Sequence, residues 1–225
     1  MQHVVFIGPQ GAGKGTQAAE VAPKFGLVHL ATGDLFRSLM AEDTTLAQEV
    51  RTIYDRGDLV PDELTARVLF DSLDRRSDAE SVTGALIDGF PRNAAQARIL
   101  DDSVAARDET LAAVVHIVVP RDVLMQRLTG RLICRNCGRS YHETFNPPVI
   151  EGVCDACGGE LYTRSDDTPE AVARRLDIYF EQTEPLLDHW RASGIVHDVD
   201  GDAGIEDVTA SIEDVLSGVL DTDRN

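Results

Sequence analysis

The segment Gly8-Pro9-Gln10-Gly11-Ala12-Gly13-Lys14-Gly15-Thr16 has the glycine spacing and the lysine of a phosphate-binding loop. Its glycines let backbone N–H groups converge on phosphate oxygens, where side chains would block access. Lys14 can reach the β- and γ-phosphates of a nucleotide, and a helix opening after the loop adds partial positive charge. The usual pattern has Ser or Thr directly after the lysine; here Gly15 intervenes and Thr16 follows. The competing reading is a glycine-rich turn without a ligand. A second segment, Ala85-Leu86-Ile87-Asp88-Gly89-Phe90-Pro91-Arg92, ends an apolar run on a carboxylate. In an open α/β sheet ligands bind beyond the carboxyl ends of the strands, so Asp88 can hold Mg²⁺ through water. Gly89 allows close backbone approach, and Arg92 offers a fork for phosphate. A strand-ending turn with a solvated arginine is the alternative.

The cysteines make a third constellation. Cys134-x₂-Cys137 and Cys154-x₂-Cys157 are separated by 16 residues, and no cysteine lies elsewhere. This is the spacing of a structural four-thiolate zinc site, closed to substrate. It can staple a segment too small for its own core. Iron in place of zinc, or a disulfide or redox role, are the alternatives. Thr32-Gly33-Asp34-Leu35-Phe36-Arg37 is weaker: Thr32 can cap a helix, and Arg37 can meet a second phosphate. Arg127, Arg131, Arg164 and Arg175 cluster late in the chain. Phosphoryl transfer, which depends on positioning and electrostatic clamping, makes sense of such a set. Spacing alone does not select these four among the other arginines.

The elements that must position these groups alternate between strand and helix. Val4–Ile7 is a continuous apolar run of the kind buried on both faces of a parallel sheet, and Leu27–Leu30, Ala85–Ile87, Ala113–Val119 and Ile195–Val199 read as further strands. Helical spacing predicts helices at Lys14–Phe25, Arg121–Leu132, Thr168–Trp190 and Ile205–Leu220, with Pro169 in a first turn. Two stretches interrupt the alternation: a helical one at about 31–60 and a Gly-, Pro- and Cys-rich one at about 131–168.

Composition sets bounds. The chain has 225 residues, is 43% apolar, and has no run of about 18 apolar residues that could span a membrane. The start, Met1-Gln2-His3-Val4, lacks the pattern of a signal peptide, so a cytoplasmic location is expected. The net charge is −18, and the only lysines are Lys14 and Lys24. A surface this acidic repels nucleic acid and anionic membrane. With lysine normally among the commonest residues, it reads as adaptation to high salt in preference to ordinary solubility.

Together these motifs resemble the adenylate kinase family, in its long form with a full lid, over about 1–217. The segments that carry the resemblance are 8–17, 32–37, 59–64 and 88–92, with Asn146-Pro147-Pro148 and Arg164-Ser165-Asp166-Asp167. The resemblance implies a P-loop nucleoside monophosphate kinase fold: α/β, with a parallel five-stranded sheet flanked by helices. The core would be 1–30, 61–130 and 168–220, the AMP-binding insertion 31–60, and the zinc-stapled lid 131–167, before a frayed tail at 221–225. The implied ATP site is Gly11, Ala12, Gly13, Lys14, Gly15, Thr16, Arg127, Arg131, Ser140, Tyr141 and Ala203. The implied AMP site is Thr32, Gly33, Arg37, Asp58, Leu59, Val60, Gly89, Phe90, Arg92 and Gln96, with Arg164 and Arg175 clamping the reacting phosphates and Asp88 anchoring Mg²⁺. The implied reaction moves the γ-phosphoryl group of Mg-ATP to AMP, giving two ADP, in a chain acting as a monomer. Gly201-Asp202-Ala203 departs from the family's frequent Gly-Thr-Lys, at a position that contributes mainly backbone. A UMP- or CMP-directed kinase is the nearest rival. A zinc-ribbon nucleic-acid module fused to a P-loop switch is the distant one, opposed by the charge.

Overall fold

A computed structural model describes residues 1–55, 60–79, 82–163 and 168–220. Its centre is a five-stranded, fully parallel sheet. The strands are β1 (Gln2–Ile7), β2 (Leu27–Ala31), β3 (Gly84–Asp88), β4 (Thr110–Val118) and a last strand at Val196–Asp200, in the order β2-β3-β1-β4-last. Side-chain alternation in β1 explains why the sheet is covered twice. Val4 and Phe6 face one apolar cluster, and Val5 and Ile7 face another. The first cluster is closed by α1 (Lys14–Val21), α6 (Arg121–Thr129), α7 (Pro169–Ile178) and a final helix at Ile205–Val219. The second is closed by α4 (Asp62–Ala79), α5 (Ala94–Ala106) and α8 (Leu187–Arg191). Continuous apolar strands are thus what a two-sided sheet requires.

Chain order makes the carboxyl end of β1 the working edge. From β1 the chain crosses to β2, returns to β3 beside β1, and then continues on the other side through β4. A crevice opens where the order reverses, beyond the strand ends. The loop 8–13 follows β1 there, and Asp88 ends β3 there.

The two interruptions carry their own small cores. α2 (Thr32–Met40), α3 (Thr45–Asp55) and the start of α4 bury Leu39, Ala47, Val50, Leu64 and Val68, with Val60 packed against them. The cysteine-bearing segment is an antiparallel sheet of β5 (Arg131–Cys134), β6 (Ser140–His142) and β7 (Leu161–Tyr162), in the order β6-β5-β7. Among the described residues its core is Cys134, Tyr141, Cys154 and Leu161, with Leu132 beside them.

Several sequence expectations need correction. The helix expected over Arg121–Leu132 stops at Thr129, and Arg131 already pairs in β5. The helix expected to run to Trp190 breaks after Ile178 into a π turn over Tyr179–Thr183 and a 3₁₀ turn over Glu184–Leu186. Pro185 has no N–H to continue the ladder, and its ring crowds the preceding turn. The helix from Lys14 likewise turns 3₁₀ over Ala22–Phe25, where Pro23 sits. Thr32 does not cap α2: Ala31 is the N-cap, and the Thr32 hydroxyl is used elsewhere. The strand expected at Ile195–Val199 is β8, Val196–Asp200; the closing helix is α9, Ile205–Val219. The tail at 221–225 lies outside the described residues.

Candidate active site

Lys14 opens α1 directly after Gly13, whose φ of 93° is open to glycine and strained for other residues. Its ammonium folds back over the loop and donates to the carbonyls of Gly8 (2.8 Å) and Pro9 (3.0 Å). Burial lowers its pKa, opposed by Asp88 and reinforced by Arg92 and Arg131. The charges of Asp88, Arg92 and Arg131 thus act on the loop lysine. For Asp88, burial favours the neutral acid, but His29, Lys14 and Arg92 outweigh it and hold the carboxyl below its usual range. His29 Nε2 lies 3.9 Å from Asp88 Oδ2, near enough for attraction and too far for a hydrogen bond. A β-carbon added to Gly15 would sit 3.7 Å from Asp88 Oδ2, so helix start and strand end adjoin.

The second half of the site is built around Gly89. Its φ is 83°, and a β-carbon there would meet Thr32 Oγ1 at 2.7 Å and an Arg92 nitrogen at 3.1 Å. Thr32, 4% exposed, donates to the Gly89 carbonyl at 3.1 Å. Arg92 Nε donates to the same carbonyl at 2.7 Å. Arg92 is exposed, and desolvation lowers its pKa against the pull of Asp88. Gln96 accepts the Arg92 backbone N–H (2.7 Å) and donates to Asp62 Oδ1 (2.7 Å). It thereby ties the Arg92 segment to the start of α4. Asn93 caps α5 by accepting from Gln96 N. Phe90 is buried in the sheet core, so only its backbone borders the site. Gly33 opens α2 beside Arg37, which is 61% exposed at its side chain and pairs with Asp34.

Arg127 on α6 donates to the Gly201 carbonyl at 2.8 Å and reaches Asp202 Oδ1 at 3.4 Å. It fixes the loop that ends in the exposed Ala203. Arg175 is half-buried on α7. Ser140 is exposed at the start of β6, while the neighbouring Tyr141 turns inward. Val60 packs in the insertion's core. Asp58, Leu59 and Arg164 lie outside the described residues.

The four cysteines converge. Their sulfurs all lie within 4.8 Å of one another, with Cys134–Cys157 at 3.4 Å and Cys137–Cys154 at 3.6 Å, and none is in a disulfide. A tetrahedral zinc with bonds of about 2.3 Å sets sulfurs about 3.8 Å apart, so the cluster fits that ion. Tyr141 bonds to Cys154 and pulls that thiol down to about 6. Cys157, despite a backbone hydrogen bond at Gly159, is pushed up to about 12 by Cys137 and Cys134. Thiols this close resist ionising together, and a bound cation removes that penalty.

Sequence reading misses His29, Tyr141 as a partner of the cysteines, and Asp62 as the partner of Gln96. No local signal marks them, because each partner is remote in the chain.

Comparison with known proteins shows the family. The family described as adenylate kinase matches residues 6–195. A protein named adenylate kinase from Carboxydothermus hydrogenoformans is 47% identical over 95% of this chain and 98% of its own length. Another from Bacillus pumilus is 47% identical over 96% and 99%. One from Staphylococcus aureus is 45% identical over 95% and 98%. The chain belongs to the adenylate kinase family.

Proposed function

We propose that this chain is a phosphotransferase that moves the γ-phosphoryl group of Mg-ATP to AMP, reversibly, giving two ADP. The observation that carries this is that the helix start after the phosphate loop adjoins the Asp88 end of β3, a β-carbon on Gly15 coming within 3.7 Å of Asp88 Oδ2, with Lys14 and Arg92 both holding that carboxyl ionised. That arrangement offers two cations beside one anion. It suits a reaction in which charge spreads over the oxygens of a phosphoryl group in flight.

In this reading the loop 8–16 cradles the donor phosphates, and Lys14 neutralises them. Bound Mg²⁺ supplies further neutralisation, and the ionised Asp88 is the group that would hold it. Arg37 and Arg92 hold the acceptor phosphate, and Arg131, Arg164 and Arg175 close over the transferring group. Thr32 and Gln96 border the acceptor base. Arg127, Ser140, Tyr141 and Ala203 border the donor nucleotide. Segment 131–167 is the lid and 31–60 the acceptor-binding domain. Lid closure, a behaviour for which adenylate kinases are a standard example, excludes the water that would otherwise take the phosphoryl group. The cysteine cluster would hold a structural zinc that supplies a rigid four-sulfur node. In this reading the chain acts as a monomer. No helix among the described residues is long and apolar enough to cross a membrane, and the −18 charge opposes nucleic acid.

Steady-state assays with AMP, CMP, UMP and GMP as acceptors test the reading. AMP is expected to give the highest kcat/KM, because a pocket built on hydrogen bonds rejects bases that leave its groups unpaired. An equal or higher value for UMP or CMP would make the chain a pyrimidine nucleotide kinase.

A further inference from the structure

Tyr141 stands where the lid's two cysteine knuckles meet. It lies on β6, just beyond the first knuckle, and is 5% exposed. Its ring packs among Leu132, Cys134, Cys154 and Leu161. Its hydroxyl oxygen accepts the backbone N–H of Asp155, in the second knuckle, at 2.8 Å. The same oxygen lies 3.4 Å from Cys154 Sγ. A phenol has one proton to give. With Asp155 N–H arriving as donor, that proton is directed at the sulfur, since a metal-bound thiolate has none of its own.

We propose that Tyr141 is a positioning residue of the metal seat, donating its hydroxyl proton to the Cys154 thiolate and locking the second knuckle onto β6. The inference rests on reading the four cysteines as a zinc seat. Four thiolates around a divalent ion carry excess negative charge, and each donor aimed at a sulfur withdraws some of it. Such outer partners fix ligand geometry and are worth roughly 10–100-fold in metal affinity. Cys134 has a comparable donor, the backbone N–H of Asn136 at 3.4 Å. Tyr141 differs in reaching across from the other half of the lid. Because β6 also carries Ser140, at the proposed donor-nucleotide site, the hydroxyl links the metal seat to the strand that borders ATP.

Tyr141→Phe keeps the ring and removes only the hydroxyl. The purified full-length protein and variant are loaded with zinc and titrated with a colorimetric chelator. The variant is expected to lose zinc affinity by about tenfold or more. In the cobalt-substituted protein the sulfur-to-metal charge-transfer band should move to lower energy in the variant, as the sulfur regains electron density. Equal zinc affinity together with an unmoved band overturns the proposal. Wild-type protein that holds no stoichiometric metal overturns the zinc-seat reading itself, a result distinct from the first. Should the variant lose its folded lid, wild-type protein loaded with cadmium-113 decides. Scalar coupling from the metal to the Tyr141 hydroxyl proton supports the proposal, and coupling to the Asn136 amide alone overturns it.

Discussion

Lys14 and Arg92 show how far a single residue's role follows from its neighbours. Lys14 is held by two loop carbonyls and faces an ionised Asp88; Arg92 is braced by the Gly89 carbonyl and, through its backbone, by Gln96. Both charges are therefore set in place before substrate arrives. Lys14→Ala and Arg92→Ala should each lower kcat by at least about 10²-fold, the scale of losing one preorganised contact to developing charge. Steady-state kinetics on the folded variants check this, and near-normal turnover in either would remove that residue from the chemistry. The phosphate loop is legible in the sequence because its chemistry lies in nine consecutive residues. Asp88 is legible because strand and carboxylate are adjacent. The supporting groups are not. Gln96 meets Asp62 across 34 residues, and Tyr141 meets Cys154 across 13, so only the folded chain brings them together. Thr32 misleads for the same reason: a threonine before a helix looks like a cap, and its true partner, the Gly89 carbonyl, is 57 residues away.

Among the elements, the strands are the most legible and the helix ends the least. An apolar run flanked by turns marks a buried strand. Where a helix yields to a π or 3₁₀ turn, or to a lid strand as at Arg131, the outcome depends on packing and on prolines within the pattern. The cysteine-bearing segment, the proposed lid, is the element with the least support of its own, since its buried core among the described residues is four residues. Stripping metal with a chelator should therefore melt the lid well below the sheet, seen as loss of amide protection in 131–163 with 1–30 unchanged; an equally protected metal-free lid would contradict this. The opposite end of the sheet has a pH-sensitive tie. His3, fully buried on β1, accepts the Ala85 N–H through Nδ1 (3.1 Å) and donates through Nε2 to Glu109 (2.8 Å), which Arg107 also holds. Burial lowers the His3 pKa from 6.5, against the pull of Glu109. The unfolded chain thus takes up this proton first on acidification, so the stability is complete above about 6.5 and is lost as pH falls below it. Glu109, held below its ordinary 4.5, loses its contribution in the same direction but at lower pH. The melting temperature should fall between about pH 7.5 and about pH 5.5, and fall less in His3→Gln, which keeps a donor and an acceptor without titrating. Identical drops in both proteins would assign the acid sensitivity elsewhere.

For the whole molecule the governing quantity is the net charge of −18. Many arginines are already paired: Arg75 with Glu42 and Asp71, Arg107 with Asp74 and Glu109, Arg121 with Asp177, Arg191 with Asp198. Pairing leaves the surplus acids facing one another across the surface. Their mutual repulsion destabilises the compact state, and it acts over distances that salt controls. The Debye length is about 30 Å at 0.01 M, comparable to a small domain, and about 3 Å at 1 M. Salt also weakens the exposed ion pairs, but each of those is worth only about 0–1 kcal/mol and acts at contact distance. The repulsion sums over many separated groups and is screened first. We therefore propose that the acidic surface suits high salt, with stability rising into the molar range. Activity should rise less steeply than stability, and KM should rise, because salt also competes with the attraction between site cations and nucleotide phosphates. A thermal melt of nucleotide-free protein in about 0.1 M and about 2 M KCl decides the matter. The expected result is a higher melting temperature at the higher concentration; a flat or lower one would mean that the acidic surface serves only ordinary solubility.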